Sequence, residues 1–279
     1  MIKSLVHSKT GFLGAVILAC ILFMALFAGI LAPHDPYEQD IMHKLMNPLW
    51  ENKSIAGHIL GTDQLGRDIL SRLIYGSQIT LLVAFAGTVA AGVIGIFFGC
   101  LSGYYGGWID AVIMRIADIQ LSFPFILLAL FIAAVLGPGV DNVILVACLC
   151  FWVQYARMVR GEILSIREME YVEAIRALGG SDFRIVFKHI LPNVMNMVVI
   201  IGTLEMARII LMEAALSFLG LGVPVDVPTW GRMLAESRVN LVSYPWHAIF
   251  PGVLITLTVL GVNLVGDWLR DYLDPNLDV

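Results

Sequence analysis

Long apolar stretches, divided by short polar or Gly/Pro-rich turns, organise this chain. A hydrocarbon core about 30 Å thick needs roughly 20 apolar helical residues, because unpaired backbone amides in lipid cost several kcal/mol each. By that measure residues 11–31, 79–102, 121–136, 143–158, 194–219 and 247–269 are six predicted spans. The third and fourth are short and are expected to borrow flanking residues, such as 117–120 and 155–159. The first follows Lys3 and Lys9, is longer than a cleaved signal segment and lacks a small-x-small site before Pro33, so it reads as an anchor. The expected fold is all-α and polytopic. Residues 1–78 form an anchor helix and outer segment, and residues 79–279 form a transmembrane core.

Composition agrees: 59% of the 279 residues are apolar and 14% charged, and the mean hydropathy is +0.85. That nearly excludes a water-soluble enzyme, and a net charge of −5 without a basic stripe argues against a nucleic-acid partner. Six spans put both termini on one side. With the termini inside, ten Lys and Arg fall on the inner loops (Arg115, Arg157, Arg160 and Arg167 among them), six on the outer (Lys44, Lys53, Arg67, Arg72, Arg232 and Arg238), and Arg208 in a span. The bias places both ends in the cytoplasm.

Cys20, Cys100, Cys148 and Cys150 lie in apolar runs and read as small buried hydrophobes. His7, His34, His43, His58, His189 and His247 are scattered singly, and none is assigned to a metal. Phosphate-loop, dinucleotide, zinc-helix and nucleophile-elbow motifs are absent from the sequence. Gly87, Ala91, Gly95, Gly99 and Gly103 recur every four residues, giving one nearly bare helix face for close packing, with gating as the alternative.

Between the fourth and fifth spans, residues 171–192 read as two short amphipathic helices. Tyr171, Ala174, Ile175 and Leu178 follow the i, i+3, i+4, i+7 spacing, with Gly179 and Gly180 as the stop. In the second, Ser181 or Asp182 is a candidate cap, Phe183, Val186, Phe187 and Ile190 form the apolar face, and Pro192 limits the end. Each should bury that face on lipid headgroups, its own bundle or a soluble partner.

Glu173-Ala174, Gly179 and Leu191-Pro192 resemble the EAA loop of binding-protein-dependent ABC importer permeases, E-A-A, three residues, G, nine residues, I-x-L-P. Ile175 replaces the second Ala, and His189 takes the Ile position beside Ile190. Residues 58–76, 213–222, 230–234 and 266–275 are similar to the dipeptide, oligopeptide and nickel class, specifically its second, C-type permease subunit. The resemblance implies six transmembrane helices with a cytoplasmic coupling-helix loop at about 160–193. It also implies a related permease partner, two cytoplasmic ATPases that hold ATP and magnesium, and an external or periplasmic solute-binding protein. This chain would then be a non-catalytic subunit of a bacterial inner-membrane importer, binding no cofactor itself. Its solute would be a di- or oligopeptide, with nickel, a metal chelate or glutathione as neighbours in the class. The resemblance carries Glu173, Ala174 and Gly179 as ATPase-coupling positions; Phe183, Val186 and Phe187 join them from periodicity.

Glu205, Arg208 and Glu213 fall within the fifth span, where a lone charge costs on the order of 3 kcal/mol. They read either as a polar lining of a translocation path or as neutralised charges at an interface with the partner permease. An intramembrane enzyme using the Glu205 and Glu213 pair is a different-class alternative, opposed by Arg208 between them. An ion-gradient-driven transporter is another. Asp68 and Arg72 are expected to pair at i, i+4 beyond a Thr62 or Asp63 cap, and Asp110, Arg115 and Asp118 to form a solvated face.

Overall fold

A computed structural model describes residues 2–273 apart from 53 and 55. Lys53, the side chain of Lys3, and Asp274 and Pro275 of the last motif lie outside the described residues. In order, the helices are α1 (Ile2–His7), α2 (Lys9–Leu26), α3 (Ala28–Leu31), α4 (Ile69–Tyr105), α5 (Gly107–Leu121), α6 (Phe125–Leu136) and α7 (Val140–Ile166). They continue with α8 (Glu170–Ala177), α9 (Asp182–Arg184), a π-helical stretch Ile185–Ile190, α10 (Leu191–Phe218), α11 (Trp230–Ser237) and α12 (Trp246–Leu273). Among the described residues, five helical segments are long and apolar enough to cross a membrane, and a bent pair, α5 with α6, makes a sixth if taken as one span.

Side-chain partners order these spans. A Cβ added to Gly87, Gly99 or Gly103 would meet the Cβ of Ala147, Val159 or Ile163, at 2.8, 2.7 and 2.9 Å. The offset is constant, so α4 and α7 run parallel, with the small-residue stripe as their seam over about 24 Å. Parallel neighbours require the chain between them to return across the bundle. It does so stepwise: Asp110 pairs with Arg160, Gln120 donates to the Leu149 and Cys150 carbonyls, and Asn142 donates to the Leu136 carbonyl. The third crossing is therefore real but broken.

The break corrects the expected third span. Residues 117–120 belong to α5, which meets α6 at 93°. Pro124 lacks an N–H and disfavours helical geometry at Phe123, while Ser122 Oγ donates to the Ile119 carbonyl at 2.6 Å and closes α5. Asp110 and Asp118 are not merely solvated. They pair with Arg160 and Arg157 of α7.

At the other flank α2 runs antiparallel to α12, with Gly11 against Trp268 and Gly261 against Ile17 and Leu18. Gln78 Nε2 donates to the Ala25 carbonyl at 2.8 Å, so the end of α2 meets the start of α4. The start of α2 and the end of α12 thus share one end of the bundle with Tyr105, the last residue of α4. The long segment 32–68 and α11 cover the opposite end. Cys20 lies on the outer surface of α2, not in the core, whereas Cys148 and Cys150 are buried.

α4 starts ten residues before the predicted span. Asp68 is its N-cap, accepting from Ser71 N at 2.8 Å and Ser71 Oγ at 2.7 Å, and His58 bonds its other oxygen at 2.9 Å. With the carboxylate so occupied, the expected Asp68–Arg72 pair is not made. Arg72 turns instead to Asp63 and Glu236, at 2.5 and 2.6 Å, and Arg67 joins the same two acids at 2.7 and 3.0 Å. This buried clamp holds α11 to the outer segment, and Trp230 completes it by donating to the Leu73 carbonyl at 3.0 Å.

Candidate functional site

Two features stand out on this scaffold: an elbow at the end shared by the start of α2 and the end of α12, and a cavity at the broken span. The elbow is built from α8 and the limb that follows it. α8 ends in a left-handed Gly179, φ +79°, with Gly179 N donating to the Arg176 carbonyl and Gly180 N to the Ile175 carbonyl, both at 3.0 Å. That pair of bonds closes the last turn as glycine caps do. Gly180 is needed as well, because a Cβ there would lie 2.6 Å from Ile175 Cγ2.

The apolar face of α8 differs from the predicted one. Val172 is buried and Ile175 half-buried against Ile185, Val186 and Ile190, whereas Ala174 is exposed and Leu178 is 88% exposed. One i, i+3 pair is enough to seat an eight-residue helix, so the rest of the face is left outward. Glu173, Ala174, Leu178 and Gly179 therefore share a protruding tip.

Pro192 does not end the second helix. Leu191 N–H reaches back five residues to the Val186 carbonyl, and this π turn absorbs a proline that would clash in a regular helix. Residues 182–218 consequently run as one 37-residue segment. Ser181 makes no side-chain cap, and Asp182 instead accepts from Tyr104 Oη at 2.6 Å. Arg176 lies 5.9 Å from the centre of the same tyrosine ring. Tyr104 thus brackets both limbs of the elbow to α4, a role that sequence reading missed. Its only signal was position, just past the predicted end of the second span. Val186 is buried in the core, while Phe183, 72% exposed, and Phe187 stack on each other and line an apolar cleft with Val93, Phe97 and Leu101.

The cavity, of about 480 Å³, lies where α5 breaks into α6, facing α7 and α10. Gln120, Phe123, Phe125, Phe151, Gln154 and Arg208 are among its walls. The three charges expected in the fifth span, now α10, part company. Glu205 is buried and accepts from Arg208 Nη1 at 3.1 Å, while the Arg208 side chain is 59% exposed and borders the cavity. Glu213, five residues further along α10, is buried and does not line the cavity, accepting from Ser217 Oγ at 2.7 Å.

At the opposite end the structure brings together His34, His58 and Asp68, whose ligand atoms lie within 4.8 Å of one another. The two rings stack at 4.4 Å, His34 Nε2 bonds the Gly57 carbonyl, and Asp68 is committed to Ser71 and His58. These bonds account for the group as the anchor of the α4 cap.

Comparison with known proteins follows the same lines. Residues 95–279 match the family described as binding-protein-dependent transport system inner membrane component, and residues 1–48 match the N-terminal TM domain of oligopeptide transport permease C. The chain is 41% identical over 275 residues to the dipeptide transport system permease protein DppC of Alkalihalophilus pseudofirmus, covering 99% of this chain and 88% of that one. It is 42% identical over 254 residues to the glutathione transport system permease protein GsiD of Pectobacterium atrosepticum, covering 91% and 83%. A chain of the MetNI methionine ABC transporter, solved in inward-facing conformations, shares the fold. Its TM-score is 0.58 at 23% identity, covering 72% of this chain and 95% of that one. With the family's own region spanning most of the membrane bundle, the chain belongs to the binding-protein-dependent transport system inner membrane components.

Proposed function

We propose that this chain is one half of the translocation pathway of an ATP-driven importer for di- or oligopeptides, and that energy enters through the elbow at α8. The protruding tip carries the reading: Glu173, Ala174, Leu178 and Gly179 stand clear of the bundle on a helix braced by Tyr104 and by the buried Val172. An exposed leucine on a rigid mount suits docking into a groove on a soluble partner. The partners are two ATPases, which hold ATP and magnesium, with a second, related permease alongside. Phe183, Val186 and Phe187 continue the coupling element along its return limb. A solute-binding protein meets the opposite end, where segment 32–68 and α11 are held by the Asp63, Arg67, Arg72 and Glu236 clamp. The excess of Lys and Arg on the elbow side supports a cytoplasmic location for that end, and for both termini, in a bacterial inner membrane.

The peptide substrate class rests on the dipeptide permease relative, and the glutathione permease relative extends it to a tripeptide with an unusual linkage. The test is ATP-dependent uptake of a labelled dipeptide by the reconstituted complex with its binding protein. Glu173→Lys and Gly179→Pro should insert normally and reduce uptake at least about tenfold, the scale on which one or two lost interface contacts act. Undiminished uptake in both variants would refute coupling through the elbow. Uptake that continues with ATP hydrolysis blocked and an ion gradient intact would favour a gradient-driven transporter.

A further inference from the structure

We propose that Arg208 binds a carboxylate of the travelling solute, the C-terminal carboxylate of a short peptide, in the cavity at the broken third span; this rests on the peptide-importer reading above. Arg208 lies ten residues before Phe218, about 15 Å along the helix and so about half a hydrocarbon thickness from its end. A cation exposed to lipid at that depth is disfavoured, so its surroundings must be protein or water. The cavity supplies them. Its wall includes Phe123 of the unwound turn between α5 and α6, and irregular backbone survives at membrane depth only where protein or a water-filled space surrounds it.

Arg208 is the sole charged residue on that wall. Its one side-chain hydrogen bond among the described residues runs from Nη1 to Glu205, which steadies the guanidinium and leaves its other donors open. Gln154, on the facing helix, also borders the cavity, and its side-chain amide makes no hydrogen bond among the described residues. Gln120, in contrast, is tied to the Leu149 and Cys150 carbonyls and to Trp152. A planar fork with free donors, an uncommitted amide and aromatic walls from Phe123, Phe125 and Phe151 suit a carboxylate carried on a partly apolar body. The volume of about 480 Å³ lies within the range of small-molecule sites.

The experiment uses the whole complex, with partner permease, ATPases and binding protein, in lipid nanodiscs. In a background with the four native cysteines replaced by alanine, Gln154→Cys is labelled with a thiol reagent while a dipeptide, or the same dipeptide as its C-terminal amide, is titrated in. Leu211→Cys on the α10 wall serves as a second reporter, and ATP-driven uptake of the dipeptide by each reporter complex shows which is assembled. The acid should protect the thiol at about tenfold lower concentration than the amide, the scale of a charge-assisted hydrogen-bonded contact. Arg208→Gln should erase that difference and Arg208→Lys should retain part of it.

Equal protection by both peptides, or a difference that survives Arg208→Gln, overturns the carboxylate assignment while leaving the importer reading standing. So does separation of the two permeases in Arg208→Gln, which would show that the guanidinium meets an acid of the partner. No protection in a complex that still imports peptide overturns the cavity as a solute site. Failure of the complex with all its native residues to import dipeptide overturns the importer reading itself, and this proposal with it.

Discussion

Glu236→Gln should be among the most damaging single-charge changes outside the membrane-spanning segments. Glu236 Oε2 accepts from Arg72 Nη1 at 2.6 Å and from Arg67 Nη2 at 3.0 Å, and Oε1 lies 3.4 Å from Arg232 Nε. Three guanidiniums thus share two carboxylates, and Arg72 is buried with its Nε and Nη2 already without partners. Neutralising Glu236 leaves Asp63 as the one acid on Arg67 and Arg72, and takes from Arg232 the carboxylate it faces. Breaking a buried pair costs about 3–5 kcal/mol, and because Glu236 is partly exposed and Asp63 stays in place, about 2–3 kcal/mol is expected. That corresponds to a fall in unfolding temperature of roughly 5–10 °C for a chain of this size. Arg72→Met removes the excess cation instead and balances two guanidiniums against two carboxylates, so it should cost less than about 2 kcal/mol. Thermal unfolding in detergent, followed at one scan rate by a thiol-reactive dye reporting on Cys148 and Cys150, measures both. Were Arg72→Met to lower the unfolding temperature more than Glu236→Gln, the clamp would be held by packing of the arginine stem and not by charge balance.

The seam between α4 and α7 gives a second comparison. Gly99→Ala would place a Cβ 2.7 Å from Val159 Cβ and 2.8 Å from the Ala156 carbonyl, so the helices must separate, at about 1–3 kcal/mol, whereas Gly92→Ala meets its nearest neighbour, the Tyr155 ring, at 3.6 Å. The first variant should unfold at lower temperature and the second should match or slightly exceed the parent in the same assay. Tyr104→Phe removes the hydroxyl that Asp182 accepts, a loss of about 1 kcal/mol in the bracing of the elbow. It should lower solute moved per ATP hydrolysed severalfold with little change in unfolding temperature; an unchanged ratio would show that the brace does not transmit force.

What could be read from the chain divides by the range of the interactions involved. Hydropathy is local, so all six crossings and the family motifs around residues 58–76 and 173–192 were visible, and the family assignment follows them. The break in the third span was also written locally, in Ser122-Phe123-Pro124, but an apolar count passes over a proline that lengthens no polar gap. A helical turn at Asp68–Arg72 was legible from its spacing, but its continuity with the second span was not, because Ser71, Arg72, Ser77 and Gln78 interrupt the apolar run until their partners are known. Those partners, Glu236 for Arg72 and Ala25 for Gln78, come from distant parts of the chain. The same holds in the fifth span. Glu205, Arg208 and Glu213 are equivalent as charges in a helix, and only neighbours outside that helix separate them. Ser217 and the surrounding core enclose Glu213, while the broken span opposite leaves Arg208 open. The two local irregularities, a proline that breaks one helix and a proline that a π turn carries through another, thus shape the two places where this bundle presents chemistry. One is the cavity beside Arg208, and the other is the limb on which the elbow stands.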